Sequence, residues 1–383
     1  MIDTIEKSFF TNFSCLPTII VRSPGRINLI GEHTDYNHGF VLPAAIDKSI
    51  YIALSPRSDS EVHLQALDLK ESHHFLKGGF KKTEKSWPNY ILGVLQQLEK
   101  KGALWKGFNC AFLADLPIGA GLSSSAALEC GILFGLNTLF NLSLTPRELA
   151  RMAQAAENEF VGVQCGIMDQ FANVFGKKDQ LIKLDCSNQI FEYIPFEQDE
   201  FDLVLCDTGV KHGLASSEYN TRKKECETGV TALRERYPEL SSLRSAHLQQ
   251  LNAVKEKISE TVYRRCKYVI EEIDRVTLAC KDLKENHFIG FGQKMYATHE
   301  GLKNDYEVSC TELDFLVEQA RRSKAVLGAR MMGGGFGGCT INLVQKSGTS
   351  EFLQTTAEAY QHNFGRPLQS HLVKISDGVQ LIK

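Results

Sequence analysis

Ser23-Pro24-Gly25-Arg26-Ile27-Asn28-Leu29-Ile30-Gly31-Glu32-His33-Thr34-Asp35-Tyr36-Asn37 sets Arg26, Asn28, Glu32, His33, Thr34 and Asp35 close together between apolar runs. A sugar-binding wall requires such a set, because every hydroxyl that leaves water must find a partner. Asp35 can accept from two neighbouring hydroxyls, and Glu32 and His33 can address others. On residue types alone an exposed polar turn remains a rival reading. So does a metal site built from Glu32, His33, Asp35 and His38, although the spacing is not H-E-x-x-H and no helix gathers the ligands on one face.

Outward from this stretch, Thr18–Arg22 reads as a strand ending at the turn signal Ser23-Pro24-Gly25. Val41–Ile46, Ile50–Leu54 and Asn109–Leu113 read as further strands. After the last of these comes Leu116-Pro117-Ile118-Gly119-Ala120-Gly121-Leu122-Ser123-Ser124-Ser125-Ala126, which opens an apolar helix over Ser123–Leu139. Small residues let backbone approach a phosphate, and a helix start offers unpaired N–H groups and partial positive charge. Ser125 adds a hydroxyl suited to Mg²⁺, a hard ion that takes oxygen ligands. A serine-capped helix after a glycine turn would look the same. The stretch is neither a G-x-x-x-x-G-K-[ST] loop nor a dinucleotide fingerprint, since the third glycine is missing.

Thr145-Pro146-Arg147-Glu148 carries a capping residue, a first-turn proline and a glutamate three after the cap, predicting a helix to about Phe160. Asp169–Phe175 reads as a short helix, Gln180–Asp185 and Phe201–Asp207 as strands, and Glu218–Tyr237 as a long charged helix. More helices fill about 245–325. Gly328-Ala329-Arg330-Met331-Met332 then leads to Gly333-Gly334-Gly335-Phe336-Gly337-Gly338-Cys339, in which five of the six positions from 333 to 338 are glycine. Glycine loses the most backbone entropy on folding, so such a run belongs where chain must turn tightly or lie against something. The polar, aperiodic stretch Ser187–Glu200 marks a boundary between lobes at 1–190 and 200–383. The expected fold class is α+β with two lobes.

Composition narrows the function classes. The 383 residues, 43% hydrophobic and 23% charged, suit a globular chain of two domains. A net charge of −3, without a basic stripe, argues against nucleic acid. The first ten residues lack a signal-like apolar core, and the run Cys130–Phe140 is too short to cross a bilayer. Eleven cysteines with no C-x-x-C pair suit reduced thiols, so a cytoplasmic location and no membrane partner are expected.

In this order and spacing the three motifs resemble the GHMP small-molecule kinases, and the first is similar to the galactokinase signature. The resemblance extends to Cys165-Gly166-Ile167-Met168-Asp169-Gln170, Ser216-Ser217-Glu218-Tyr219-Asn220 and Asn304-Asp305-Tyr306-Glu307-Val308, and is thinnest over about 55–105 and 230–290. It implies two lobes with the site in the cleft between them, and a monomer that transfers phosphate from ATP, with Mg²⁺, to galactose. By the same resemblance Asp169 is the catalytic aspartate and Arg26 the transition-state arginine. Glu32, His33, Thr34, Asp35, Gly166 and Tyr219 hold the sugar. Pro117, Ile118, Gly119, Ala120, Gly121, Leu122, Ser123, Ser124 and Ser125 form the phosphate loop, and Ser125 and Glu157 hold the metal. Met332 stands where the family usually has threonine.

Phosphoryl transfer has a loose, charge-rich transition state, so positioning and charge neutralisation dominate. An arginine fork suits the second task. An aspartate is a weak base, so Asp169 is expected to orient the hydroxyl first and take its proton late. Bland roles compete: Asp169 could cap a helix starting near Gln170, Arg26 could be a structural ion pair, Glu157 a solvated helix residue and Tyr219 packing. Competing functions are a sugar-and-ATP sensor without turnover, a kinase for a related sugar such as N-acetylgalactosamine, and a nicotinamide-dependent dehydrogenase. The complete set Arg26, Ser125, Glu157 and Asp169 speaks against the sensor, and the missing fingerprint against the dehydrogenase.

Overall fold

The computed structural model describes residues 1–117, 121–210 and 215–383, together with the backbone but not the side chains of 215–217. The described chain begins with helix α1 (Ile2–Phe13), strand β1 (Ile19–Asn28), the short β2 (Phe40–Val41), β3 (Pro43–Pro56), β4 (Glu61–Ala66) and β5 (Glu71–Leu76). There follow α2 (Ser86–Lys100), β6 (Phe108–Ala114), α3 (Ser124–Phe140), α4 (Pro146–Ala155), α5 (Met168–Phe175), β7 (Gln180–Asp185), β8 (Phe191–Pro195) and β9 (Phe201–Asp207). The remainder is α6 (Ala215–Arg236), α7 (Leu248–Asn252), α8 (Glu260–Lys284), α9 (Phe288–Asn304), α10 (Thr311–Arg322), β10 (Val326–Met331), β11 (Cys339–Gln345), α11 (Thr349–Phe364), β12 (Gln369–Val373) and β13 (Gln380–Leu381).

Three sheets organise these elements, in the orders β13-β1-β3-β6-β4-β5, β10-β11-β9-β12 and β2-β7-β8. Among the described residues only the β4–β6 pairing is parallel. The mixed, mainly antiparallel layering is the expected α+β class.

Strand β1 is buried on both faces, which explains its near-continuous apolar character. Ile20 packs with Ile5 and Phe9 of α1, whereas Val21 joins the main core with Leu133 and Leu136 of α3. The apolar helix α3 is thus an inner layer rather than a surface helix.

Two breaks expected from sequence are absent. Ser23-Pro24-Gly25 does not end β1, because the strand passes through it with a bulge between Pro24 and Arg26. A bulge tolerates a proline that cannot donate to the ladder. Asn173 caps the bulge by donating to the Pro24 carbonyl (2.6 Å). Val41–Ile46 and Ile50–Leu54 are likewise not separate strands: Phe40 and Val41 pair with β7, and one strand, β3, spans the rest. The half-exposed Asp47 and Lys48 only imitate a turn. The interval 187–200 contains β8, paired with β7. The chain's last strand, β13, crosses back to pair with β1, so the expected segment 200–383 contributes to the first sheet as well as to the second.

Candidate active site

The bulge after Pro24 fixes the site. It turns Arg26 inward, and the Arg26 backbone N–H donates to the Leu122 carbonyl (3.1 Å), tying the first motif to the second. The Arg26 guanidinium forks onto Asp169, Nε to Oδ1 at 2.7 Å and a terminal nitrogen to Oδ2 at 2.9 Å. Its other terminal nitrogen donates to the Gly121 carbonyl, and the Ser123 hydroxyl donates to Asp169 Oδ2. Burial opposes charge on Arg26, but Asp169, Glu32 and Asp35 together raise its pKa and keep it protonated. Helix α5 starts at Met168, so Asp169 lies within its first turn rather than before it, and its oxygens bond Arg26 and Ser123 instead of capping amides.

Beside this pair stands the polar wall. Glu32 Oε2 accepts from the fully buried Arg330 (2.9 Å), which also donates to the carbonyls of Leu29 (2.9 Å), Met331 (2.7 Å) and Asn28. Asp35 carries a carboxyl pushed up to about 7, first by burial and then by the Asp169 charge. His33 shares a hydrogen bond with the Tyr36 hydroxyl (2.8 Å), which shares another with the Tyr306 hydroxyl (2.7 Å). Burial, reinforced by Arg222, lowers the His33 pKa to about 3, so its ring is neutral near pH 7. The Tyr219 ring leans on His33 and Tyr36, at 5.3 and 5.0 Å between centroids. Gly166 lies so close to Asp35 that a Cβ there would sit 2.2 Å from Oδ2.

Thr34 departs from expectation. Its hydroxyl donates to the carbonyls of Gly31 (2.9 Å) and Phe40 (2.6 Å), and the residue is fully buried, so it closes the turn rather than presenting a group to a ligand.

On the other side of Arg26, residues Gly121–Ser125 join Ile50, Leu69, Trp87, Phe112 and Leu128 around a cavity of about 550 Å³. Apolar walls ending at a helix start suit a nucleobase with a phosphate tail. Pro117 lies next to Leu116 of this lining, while Ile118, Gly119 and Ala120 fall outside the described residues. Ser216 and Ser217 of the α6 motif likewise fall outside the described side chains.

Glu157 sits where α4 widens into a π-helical turn, Ala156–Val161, with the Gly162 N–H donating to the Glu157 carbonyl (2.8 Å). Such turns commonly mark functional positions because they re-aim one side chain. Here the re-aimed group is 7% exposed, accepts from Gln170 (2.9 Å) and meets the Ser125 hydroxyl. Burial, then the Asp169 charge, pushes it up to about 7, a site that a cation would relieve. Among the described residues no three His, Cys, Asp or Glu side chains gather to hold a metal alone. Two protein oxygens at the phosphate end fit Mg²⁺, which keeps most of its shell for water and phosphate.

The third motif reaches the same place. Gly333 packs on Gly121, and Phe336 N–H donates to the Val308 carbonyl (2.7 Å), joining the glycine run to the Asn304–Val308 motif. The unusual Met332 is 1% exposed and its side chain belongs to the main core, while its carbonyl lies against Gly121.

Three family models match in chain order: the galactokinase galactose-binding signature over 7–56, the GHMP kinase N-terminal domain over 89–177 and the GHMP kinase C-terminal domain over 279–361. A galactokinase from Roseiflexus sp. (strain RS-1) is 39% identical over 381 residues, covering 99% of this chain and 97% of that protein. The chain belongs to the galactokinase family of GHMP kinases. A galactokinase from Thermotoga maritima is 42% identical, covering 94% of this chain and 99% of its own length. The crystal structure of Lactococcus lactis galactokinase complexed with galactose superposes with a TM-score of 0.95 at 34% identity, covering 99% of both chains. Methanococcus jannaschii mevalonate kinase, at 19% identity and a TM-score of 0.67 over 94% of this chain and 98% of its own, shares the fold.

Sequence reasoning missed Arg330, Tyr36, Tyr306, Arg222 and Trp87 as parts of the site. Arg330 and Tyr306 stand inside quoted motifs, and a lone arginine among apolar strand residues was the available signal. Trp87 lies in the thinly covered interval 55–105 and carries no polar signature.

Proposed function

We propose that this protein is an ATP-dependent galactokinase that phosphorylates the anomeric C1 hydroxyl of galactose. The observation that carries the reading is the Arg26–Asp169 pair, set where a phosphate-binding helix start meets a wall of Glu32, His33, Asp35 and Tyr219. The adenine lies in the apolar cavity beside Trp87, and the phosphates follow Gly121–Ser125 toward Arg26. Ser125 and Glu157 would hold Mg²⁺, which when bound would supply charge neutralisation at the phosphates.

The residues divide the remaining work. Glu32 and Asp35 accept hydrogen bonds from sugar hydroxyls, and Asp35 must be ionised to accept with both oxygens. The neutral His33 serves as donor or acceptor, with Tyr36 fixing its ring. Tyr219 covers the sugar and limits water. Asp169 accepts the hydrogen bond of the C1 hydroxyl, orienting a lone pair at phosphorus, and receives the proton late as the C1 O–P bond forms and the bond from the γ-phosphorus to the departing ADP oxygen breaks. Arg26, its fork held on Asp169, brings its guanidinium charge and remaining N–H groups to the γ-phosphoryl oxygens as charge builds there. Eleven free thiols, most of them buried, suit a reducing compartment, and a cytoplasmic location follows from that. Among the described residues no helix is long and apolar enough to cross a membrane.

The test is ADP release measured across a panel of monosaccharides. Galactose should be turned over with the highest kcat/KM, and Asp169→Asn should abolish turnover while leaving galactose binding. A preference for N-acetylgalactosamine, or ATP and galactose binding without ADP release, would overturn the reading.

A further inference from the structure

Helix α8 lies in one of the stretches that sequence left almost unread, and it contributes no side chain to the polar wall. It nevertheless touches the wall's backbone at three points. Glu272 Oε1 accepts from the Gly31 N–H at 2.8 Å. The Tyr268 hydroxyl donates to the Glu32 carbonyl at 2.9 Å. Val276 closes the third side: a Cβ on Gly31, whose φ is +91°, would lie 2.9 Å from Val276 Cγ2 and 2.6 Å from the Phe40 carbonyl. Residues 268, 272 and 276 recur every fourth position, so they form one stripe along the helix.

We infer that Glu272 is a positioning residue, which together with Tyr268 holds the Gly31–Glu32 turn so that Glu32 and His33 meet the sugar in register. The inference rests on the galactokinase reading above.

The chemistry favours this over simple packing. Glu272 is fully buried, and a buried carboxylate persists only when its oxygens are satisfied. Its partners are the Thr298 hydroxyl (3.0 and 2.9 Å to the two oxygens), the Arg275 guanidinium on the same helix, and the Gly31 amide. Thr298 on α9 and Arg275 on α8 brace the carboxylate, leaving the Gly31 amide as its output to the site. An amide donating to a carboxylate forms a short, charge-assisted bond, which defines a backbone position more sharply than apolar contact does.

A second path runs through the same stripe. The Tyr268 ring leans on Tyr306 at 4.8 Å between centroids, tilted by 42°, Tyr306 bonds Tyr36, and Tyr36 bonds His33. The main chain of Glu32 and the ring of His33 are therefore both referred to one helix face.

The experiment is steady-state kinetics of the full chain with galactose and ATP varied separately, alongside the melting temperature of each variant. Tyr268→Phe removes one hydroxyl and should raise the KM for galactose about five- to tenfold while that for ATP stays within about twofold. Glu272→Ala should raise the galactose KM by about tenfold or more, and Glu272→Gln, which keeps an acceptor for Gly31, should recover part of that loss. Should Glu272→Ala fail to fold, the Gln and Tyr268→Phe variants decide the matter alone. A lowered melting temperature with an unchanged galactose KM, or an equal rise in both KM values, would overturn the inference. If the wild type turned over another monosaccharide instead, the galactose assignment would fall, and the same KM split read with that sugar would still decide the role of Glu272.

Discussion

Replacing Gly166 by alanine tests the geometry of the sugar wall with a single methyl group. The added carbon would lie 2.2 Å from Asp35 Oδ2, 2.3 Å from Cγ and 2.7 Å from Cβ. Gly166 is not among the residues with positive φ, so the effect is steric and not a backbone penalty. Ordinary contact begins near 3.4 Å, so the carboxylate must retreat by about 1.2 Å. Asp35 opens a tight turn, Asp35–Asn37, and is 8% exposed, so it has little room for that retreat. A displacement of about 1 Å at a positioning group costs on the order of 100-fold in rate. Overpacking should lower stability by about 1–3 kcal/mol. The assay is coupled ADP release at varied galactose. We predict a fall in kcat/KM for galactose of about 100-fold, an ATP KM within about twofold, and a melting temperature a few degrees lower. In an Asp35→Ala background the same Gly166→Ala change should cost no more than about tenfold, because the carboxylate is gone and only the 2.7 Å Cβ contact remains. Retention of galactose kcat/KM within about twofold, or full additivity with Asp35→Ala, would refute the reasoning.

Other expectations follow from the same geometry. Asp169→Asn removes the proton acceptor for the reacting hydroxyl and the charge paired with Arg26; ADP release should fall at least about 1,000-fold while galactose binding by calorimetry persists. Arg330→Leu leaves the Glu32 carboxylate buried without its cation, and denaturant unfolding should register a loss of about 3–5 kcal/mol. Asp35, raised to about 7 in the folded chain and ordinary when unfolded, makes stability fall as pH rises from about 4 through 7, by roughly 3–5 kcal/mol at most. Asp35→Asn should therefore melt higher than wild type at pH 8 and no higher at pH 4, and equal gains at both would exclude the effect. Glu157→Gln should raise the Mg²⁺ concentration for half-maximal rate about tenfold and weaken Mg²⁺-dependent nucleotide binding by calorimetry, and an unchanged Mg²⁺ dependence would remove Glu157 from that role.

What could be read from sequence was what repeats a local physical rule. The Thr145 capping box formed as expected, with the Glu148 amide donating to Thr145 (3.3 Å) and the Thr145 amide to Glu148 (2.9 Å). The apolar α3 was legible because burial on most faces leaves few polar positions. Gly25 misled because a proline and glycine mark a turn or a bulge equally well, and the choice is made by Leu116 and Leu122 packing from the next motif. Thr34 looked like a sugar ligand because a hydroxyl does not reveal whether backbone or ligand will claim it. Glu272 and Trp87 were silent for a different reason. Each acts through a partner more than fifteen residues away, Glu71 for Trp87 and Gly31 for Glu272, and no local pattern encodes that distance.

The placement of β13 carries a consequence for synthesis on the ribosome. Strand β1 holds Arg26, and its outer neighbour is a strand whose residues are added some 360 positions later, with Val21 opposite Leu381 and Arg22 opposite Gln380. Until residue 381 clears the exit tunnel, the nascent first sheet presents β1 as an unpaired border, the kind of edge that recruits other chains. Ile20 donates to the Lys383 carbonyl at 2.9 Å, so Lys383 also takes part in sealing that border. A nascent or truncated product lacking residues 380–383 keeps every catalytic side chain yet leaves one edge of β1 open to association.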